Sequence, residues 1–256
     1  MPPSSAQRPS RALAPAAIQR ASRTDSAPGV RLPPRYALAW RDQFESRVRP
    51  ALRPGVGILD VGSGRRPALP PAERPDSLYV GLDISLDELR KAPEGSYDEF
   101  VAADVVEPQE GLRNRFDLVV SWQVLEHVKP LDAALDNLRS YLRPGGRMVA
   151  LLSGSFSAFA LVNKVLPASA GVWLMERLLH RDADTVFPAH YDRCHHAGLV
   201  RLLEPWSRAD VVPLYRGANY FRFSRRLQVA YITYESWASR NSHCNLATHY
   251  LLDAQP

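Results

Sequence analysis

Cysteine and long apolar runs are both scarce in this chain of 256 residues. Cys194 and Cys244 are the only cysteines, too few for a disulfide framework, so we expect a reducing compartment and a cytoplasmic location. No run of about 18 uncharged apolar residues occurs, which argues against a transmembrane segment. Hydrophobic residues nevertheless make up 45% of the chain, which excludes a wholly disordered protein and fits one domain with a substantial cap.

Acidic residues are almost absent from residues 1–30, where four arginines are opposed only by Asp25. Because this segment is also rich in Pro, Ser and Ala, we predict a disordered tail over 1–30. Its prolines would interrupt the amphipathic helix of a transit peptide. The tail carries +3 of the net charge of +5, which leaves +2 for the rest. A body this close to neutral does not suit nucleic-acid binding.

Short apolar runs alternate with helical stretches from residue 35 onward. Helical spacing occurs over 35–52 and 130–142. Five apolar runs are predicted strands: Gly57–Val61, Leu78–Leu82, Phe100–Ala103, Phe116–Val120 and Arg147–Leu152. Alternation of this kind implies parallel pairing with right-handed crossovers. The predicted fold class is therefore α/β with a doubly wound sheet. Residues 31–154 are predicted to form the first half of this domain, with its first five strands.

The pattern changes after Ser153. Two apolar helix-like stretches, Phe156–Leu166 and Gly171–Leu179, predict a helical cap over 155–190. Residues 191–256 are predicted to complete the domain, with a helix at 191–203 and strands at 209–214 and 245–252. A second helical insertion is expected at about 216–243.

The most informative stretch runs from Asp60 to Gly64, where the first strand is expected to turn sharply into a helix. Gly62 and Gly64 lack Cβ atoms, so the backbone there can approach a ligand closely. Ligands of parallel α/β sheets bind at the carboxyl ends of the strands. Asp60 would place a carboxylate near that crevice, suited to an amino group.

Two further acids follow the next two strands. Asp83 is spaced suitably from Asp60 to bind both hydroxyls of a ribose. Asp104 would accept a hydrogen bond from an exocyclic adenine amine, with Val105 packing on the ring. The alternative is that these aspartates cap helices. A ribose acceptor and an adenine acceptor together predict an adenosine ligand.

A nicotinamide dinucleotide is a weaker alternative. Its fingerprint requires a third glycine, and Arg66 stands in that place, followed by Pro67. Asp60 would also repel phosphate. Both facts favour a ligand that has no phosphate and carries a cationic end.

With these motifs in place, the sequence resembles the class I S-adenosylmethionine-dependent methyltransferases. The resemblance covers roughly residues 35–153 and rests on five stretches in the family's order. They are Ile58–Gly64, Val80–Ser85, Ala102–Val105, Phe116–Val128 and Leu142–Arg147. It implies a Rossmann-like sheet of seven mostly parallel strands, the last antiparallel, with S-adenosyl-L-methionine as the cofactor. Arg66 departs from the family pattern.

The resemblance also implies a role for each matching residue. The methionine part of the cofactor would contact the first motif, at Asp60, Gly62, Ser63 and Gly64. The ribose would be held by Asp83 with Ile84 packing on adenine, and the adenine by Asp104 and Val105. Three residues after the fourth strand, Ser121, Trp122 and Gln123, would line the cofactor pocket.

Methyl transfer to a hydroxyl gains from a general base, and histidine is the commonest one. Four histidines are candidates, at positions 127, 190, 195 and 196, and His190 is our choice because it follows the cap. His127 is instead interpreted as helix packing or capping. Adjacent helix residues point about 100° apart, so Cys194, His195 and His196 do not share one ion, and we predict no metal.

The expected function is methyl transfer to a small-molecule acceptor, most simply O-methylation of a hydroxyl or carboxyl group in a biosynthetic pathway. Aromatic residues are concentrated in 156–250, which suits an apolar or aromatic acceptor or, alternatively, ordinary core. Methylation of a lipid or quinone at a membrane surface, through 156–179, is one alternative. A non-catalytic adenosylmethionine-fold module and a nicotinamide oxidoreductase are others. An exposed apolar face at 155–182 would allow a homodimer.

Overall fold

The computed structural model describes residues 26–156 and 189–256. Seven strands form one sheet: β1 Gly57–Val61, β2 Leu78–Asp83, β3 Glu99–Ala102, β4 Phe116–Trp122, β5 Leu142–Ser153, β6 Arg208–Leu214 and β7 His249–Gln255. Five α-helices are described: α1 Trp40–Val48, α2 Leu86–Arg90, α3 Leu131–Tyr141, α4 His196–Leu202 and α5 Arg225–Arg240. Among the described residues, no helix is long and apolar enough to cross a membrane.

The strand order is β3-β2-β1-β4-β5-β7-β6. Strands β1 to β5 pair in parallel, and β7 runs antiparallel to both β5 and β6. The chain leaves β1 towards β2 on one side and returns to β4 on the other, so the carboxyl end of β1 is a topological switch point. The predicted doubly wound, seven-stranded α/β fold is confirmed.

Both faces of the sheet are covered, which explains why every residue of the central strand β1 is buried. On one face, Phe44 and Val48 of α1 pack against Ile58 and Leu118. On the other face, a larger core joins the strands to α3 and α4. The carboxyl ends of β1, β2 and β4 thus remain the natural place for a ligand.

The expected helix after the first strand is absent. Residues 62–77 contain one short 3₁₀ turn, Pro71–Glu73, and no α-helix. Prolines at 67, 70, 71 and 75 remove backbone donors that a helix needs. The prediction that the chain turns into a helix here is therefore wrong, and a proline-rich loop covers this side of β1 instead.

Other boundaries differ by a few residues. The last strand begins at His249 rather than 245, because Cys244–Leu246 form a 3₁₀ turn before it. The five residues 26–30 at the end of the predicted tail are described, and Ala27 is buried there with its N–H donating to Gln228 Oε1 at 2.8 Å. Helix α5 lies within 216–243. Residues 1–25 and the cap stretches within 157–188 lie outside the described residues.

Candidate functional site

A glycine turn joins the end of β1 to the proline-rich loop. Gly62 and Gly64 adopt positive φ angles of 72° and 48°, the left-handed region that glycine favours. A Cβ on Gly62 would also lie 2.3 Å from Val124 Cγ1, so a larger residue does not fit without a shift. Close packing against the segment after β4 therefore explains the first glycine.

Asp60 lies beneath this turn and is fully buried. Its Oδ2 atom accepts hydrogen bonds from Tyr79 Oη at 2.6 Å and from the Ala68 N–H at 2.7 Å. Burial raises the pKa of Asp60 to about 6. The carboxyl group thus holds the loop from below, and its side chain has no exposed surface for the methionine contact that the resemblance implies.

Tyr97 supports the same turn, and the sequence analysis missed it. Its ring stacks on Tyr79 with centroids 5.9 Å apart. Its hydroxyl donates to the Gly64 carbonyl at 2.8 Å and lies 2.5 Å from Ser63 Oγ. No local motif marks Tyr97, because it reaches the turn from the segment before β3.

Asp83 ends β2 beside the glycine turn, as predicted. Its Oδ1 atom accepts the Ser85 N–H at 2.8 Å, and its Oδ2 atom lies 3.3 Å from the place where a Gly64 Cβ would be. Burial raises the pKa of Asp83, while the N–H groups of Ser85 and Gly64 oppose that rise. The next side chain, Ile84, is 69% exposed. A carboxylate and an exposed apolar surface therefore stand together next to the turn.

Asp104 and Val105 have different surroundings. Asp104 is half-buried, and its Oδ1 atom accepts the Val106 N–H at 3.1 Å. Val105 is 8% exposed, packs in the core, and its carbonyl accepts a bond from Asn137 Nδ2 at 3.0 Å. The Val105 side chain is thus mainly core, which leaves Asp104 as the more accessible of the pair.

The three predicted pocket residues after β4 do not share one role. Ser121 is fully buried, and its hydroxyl donates to the Val61 carbonyl at 3.3 Å. The Trp122 ring packs edge-on against Phe44, on the side of α1. Gln123 has a φ of 56° and brings its Nε2 atom to 3.4 Å from His249 Nε2. Of the three, only Gln123 has a side chain that contacts His249 at the start of β7.

Two buried ionisable residues at this end of the sheet were missed. Burial, with the nearby Arg216 charge, lowers the pKa of His249 to about 3, so its ring is neutral at pH 7. The Glu126 carboxyl accepts the Ser153 N–H at 3.1 Å, and burial raises its pKa. Ser153, the last residue of β5, pairs with His249, the first residue of β7, so both ionisable residues lie at the carboxyl end of β5. Antiparallel pairing brings His249 here, and a local pattern does not report that.

His190 lies near Glu126. Its N–H donates to the Glu126 carbonyl at 3.0 Å, and that of Tyr191 donates to the same carbonyl at 2.9 Å. The His190 side chain is exposed. Its role as a base stays a prediction. Across residues 26–156 and 189–256, no group of three or more His, Cys, Asp or Glu side chains is placed to hold a metal ion.

Comparison with known proteins gives concordant results. Residues 12–207 match a family described as methyltransferase domain. A ubiquinone biosynthesis O-methyltransferase from Nitrobacter winogradskyi is 30% identical over 112 residues, 42% of each chain. Its namesake from Chelativorans sp. is 28% identical over 152 residues, 57% of this chain and 59% of that protein. The chain thus spans about half the length of these relatives.

A solved structure shares the fold. Phosphoethanolamine N-methyltransferase 2 from Haemonchus contortus, in complex with S-adenosyl-L-methionine, superposes with a TM-score of 0.53 at 15% identity. The match covers 85% of this chain and 53% of that one. At this identity the likeness concerns the fold alone.

Proposed function

Because the chain belongs to the methyltransferase domain family, we propose that it transfers a methyl group from S-adenosyl-L-methionine to an oxygen atom of a small molecule. The observation that carries the proposal is the carboxylate of Asp83 beside Gly64, with Ile84 exposed next to it. The names of the relatives support oxygen as the acceptor atom.

The residues at the glycine turn fit the cofactor. The left-handed turn at Gly62 and Gly64 brings backbone without Cβ atoms to the topological switch point. Because the cofactor has no phosphate group, it requires no cluster of basic side chains there. Asp83 would hold the ribose hydroxyls, Ile84 would cover the adenine, and Asp104 would accept its amine. Ser63 and Gln123 would flank the methionine part. Asp60 would act from below the turn.

When bound, this cofactor supplies a methyl group on a sulfonium, whose leaving group is a neutral thioether. The protein's main contribution is alignment of the acceptor oxygen, which is worth about 7–11 kcal/mol in well-oriented reactions. A base that removes the acceptor proton adds roughly 10²–10⁴-fold, and we keep His190 as a candidate for it.

The acceptor is proposed as a small apolar or aromatic molecule. The relatives are named for ubiquinone biosynthesis, which favours an acceptor of the quinone class over other small molecules. The near-neutral body argues against a nucleic acid, and the scarcity of cysteine supports a cytoplasmic location. A homodimer through 155–182 stays a prediction.

The test is a calorimetric titration with S-adenosylmethionine and S-adenosylhomocysteine. The wild type is expected to bind both in the micromolar range, and Asp83→Ala to lose this binding. Asp87→Ala removes an exposed carboxylate four positions further on and is the matched control, expected to bind normally. Absence of binding by the wild type would contradict the proposed function. Equal binding by all three proteins would contradict the role of Asp83.

A further inference from the structure

Three side chains with N–H groups meet on the α1 side of the sheet, near the carboxyl end of β5. We call Trp40, Arg216 and His249 the donor cluster. The rings of Trp40 and His249 have centroids 3.9 Å apart, and the Arg216 guanidinium lies 5.9 Å from the centre of the Trp40 ring. Arg216 and His249 are buried, and Trp40 is half-buried. The cluster joins α1 to the beginning of β7 and to the segment after β6.

The proton of His249 is placed by Gln123. The Gln123 Nε2 amide lies 3.4 Å from His249 Nε2, and an amide nitrogen only donates, so the imidazole Nε2 accepts. Since the ring is neutral, its single proton then resides on Nδ1. Nδ1 is a buried donor without a partner among the described residues.

Trp40 also has a buried N–H group without an acceptor among the described residues. Its indole N–H is a donor that never accepts, and it is buried with no acceptor in the described parts of the chain. A buried donor that lacks an acceptor destabilises the folded protein, because the bonds it made to water are not replaced. Two such donors on rings in contact, with a guanidinium beside them, form a place suited to an oxygen atom that carries negative charge.

Among residues 26–156 and 189–256, the two buried glutamates at this end of the sheet have other partners. Glu235 accepts bonds from Gly217 N–H at 2.6 Å and Thr248 Oγ1 at 2.8 Å, and it lies 3.5 Å from Arg35. Glu126 is bound to the Ser153 N–H, and burial raises its pKa, which favours the uncharged acid. Arg216 donates to the Tyr36 carbonyl at 3.1 Å, and its positive charge also acts on His249.

We propose that the donor cluster is the anchor for the methyl acceptor and that it binds a carboxylate oxygen of that molecule. The cluster adjoins Gln123, so a molecule held there lies at the same end of the sheet as the glycine turn. The inference rests on the proposed function only in taking the bound anion to be the methyl acceptor. It narrows the acceptor class from any small molecule to one with a carboxylate group.

The test uses two probes of the same shape and different charge, 4-hydroxybenzoate and 4-hydroxybenzamide. Each is titrated by calorimetry into the protein alone and into the protein saturated with S-adenosylhomocysteine. The carboxylate is expected to bind about 10-fold or more tightly than the amide, because charged acceptors make the stronger bonds. Equal affinities, or no binding of the carboxylate in either form, would overturn the proposal.

Variants locate the anion. Trp40→Phe keeps an aromatic ring and removes the N–H, and Arg216→Gln removes the charge. Each is expected to weaken 4-hydroxybenzoate binding about 10-fold, with the affinity for S-adenosylhomocysteine unchanged. Arg143→Gln, at the opposite end of β5, is the matched control and should bind as the wild type does. Unchanged 4-hydroxybenzoate affinity in Trp40→Phe would contradict the anchor.

A second readout follows the ring of His249 by nitrogen NMR. The free protein is expected to show the neutral tautomer with its proton on Nδ1, and 4-hydroxybenzoate should shift that resonance. A proton on Nε2 would contradict the assignment. Loss of cofactor binding in the wild type would defeat the proposed function alone, since the probes are also titrated without cofactor.

Discussion

The Tyr97 hydroxyl group forms hydrogen bonds with two residues of the glycine turn, Gly64 and Ser63. Tyr97→Phe removes those bonds and leaves the ring stacked on Tyr79. A net hydrogen bond is worth about 0.5–1.5 kcal/mol, so we expect affinity for S-adenosylhomocysteine to fall about 3–10-fold. Calorimetry measures this loss.

Tyr141→Phe is the control for that prediction. The Tyr141 hydroxyl accepts the Gln109 N–H at 2.9 Å, and neither residue belongs to the turn. Its removal should leave cofactor affinity unchanged. Equal losses in the two variants would mean that Tyr97 acts on general stability rather than on the turn.

His249 makes stability depend on pH. In the unfolded chain this residue has its ordinary pKa of 6.5, whereas in the folded protein its pKa is about 3. Between these values the unfolded state binds more protons, so the free energy of unfolding falls as the pH is lowered through this window. The contribution lost between about pH 7.5 and pH 5 is about 2 kcal/mol.

Guanidinium unfolding at the two pH values, for the wild type and His249→Gln, isolates this effect. Asp60 has the opposite effect: because its pKa is raised in the folded protein, the free energy of unfolding decreases as the pH rises towards about 6. Since Asp60 is present in both proteins, its effect cancels in the comparison. The wild type should lose more stability on acidification than the variant. Parallel losses would refute the assignment of a buried neutral imidazole.

Only part of the candidate site could be predicted from the sequence. Asp83, Ile84 and the two glycines were predictable, because each follows a strand at a motif position. Tyr97 and His249 were not, since tertiary pairing alone brings them to the site. Asp60 was identified by its motif, but its burial under the loop depends on Tyr79, which the motif does not report.

At the scale of the elements, α5 has an unusual distribution of polarity. Its buried face carries Gln228 and Glu235, whereas Leu227, Val229 and Trp237 are exposed. The buried polar groups are satisfied by long-range bonds, in which Glu235 accepts from Tyr36, Gly217 and Thr248. The helix is thus fixed by hydrogen bonds more than by apolar packing.

Glu235→Ala should therefore cost about 3–5 kcal/mol, because it leaves several buried donors without an acceptor. Leu227→Ser, one of the exposed apolar positions on the same helix, should change stability by no more than about 0.5 kcal/mol. Urea denaturation compares the two. A larger loss for Leu227→Ser would show that the Leu227 side chain is covered in solution.

Element boundaries followed from the sequence where the apolar period was clear. The strands at β1, β2 and β6 agree with prediction within one residue. The helix expected after β1 failed because proline content outweighs the usual strand–turn–helix succession. The helical insertion expected at about 216–243 contains α5, and the apolar spacing did not reveal that the helix buries the polar Gln228 and Glu235.

At the scale of the whole molecule, the resemblance inferred from five motifs is confirmed by a family match over residues 12–207. Strand alternation and the order of the motifs suffice for the fold, since connection rules leave few arrangements open. The donor cluster could not be predicted from the sequence. It is built from α1, the segment after β6 and the beginning of β7, which are far apart in the chain and share no motif.

That distance has a consequence for folding kinetics. Ala27 and Gln228 are 201 residues apart, and Tyr36 and Glu235 are 199 apart. Bringing such segments together carries the full entropy of closing the intervening chain, so these contacts should form late. Glu235→Ala should then speed unfolding in stopped-flow experiments and leave the refolding rate nearly unchanged. A slowed refolding rate would mean that these contacts already form in the transition state for folding. An unchanged rate would mean that the contacts between α5 and the N-terminal segment are completed last.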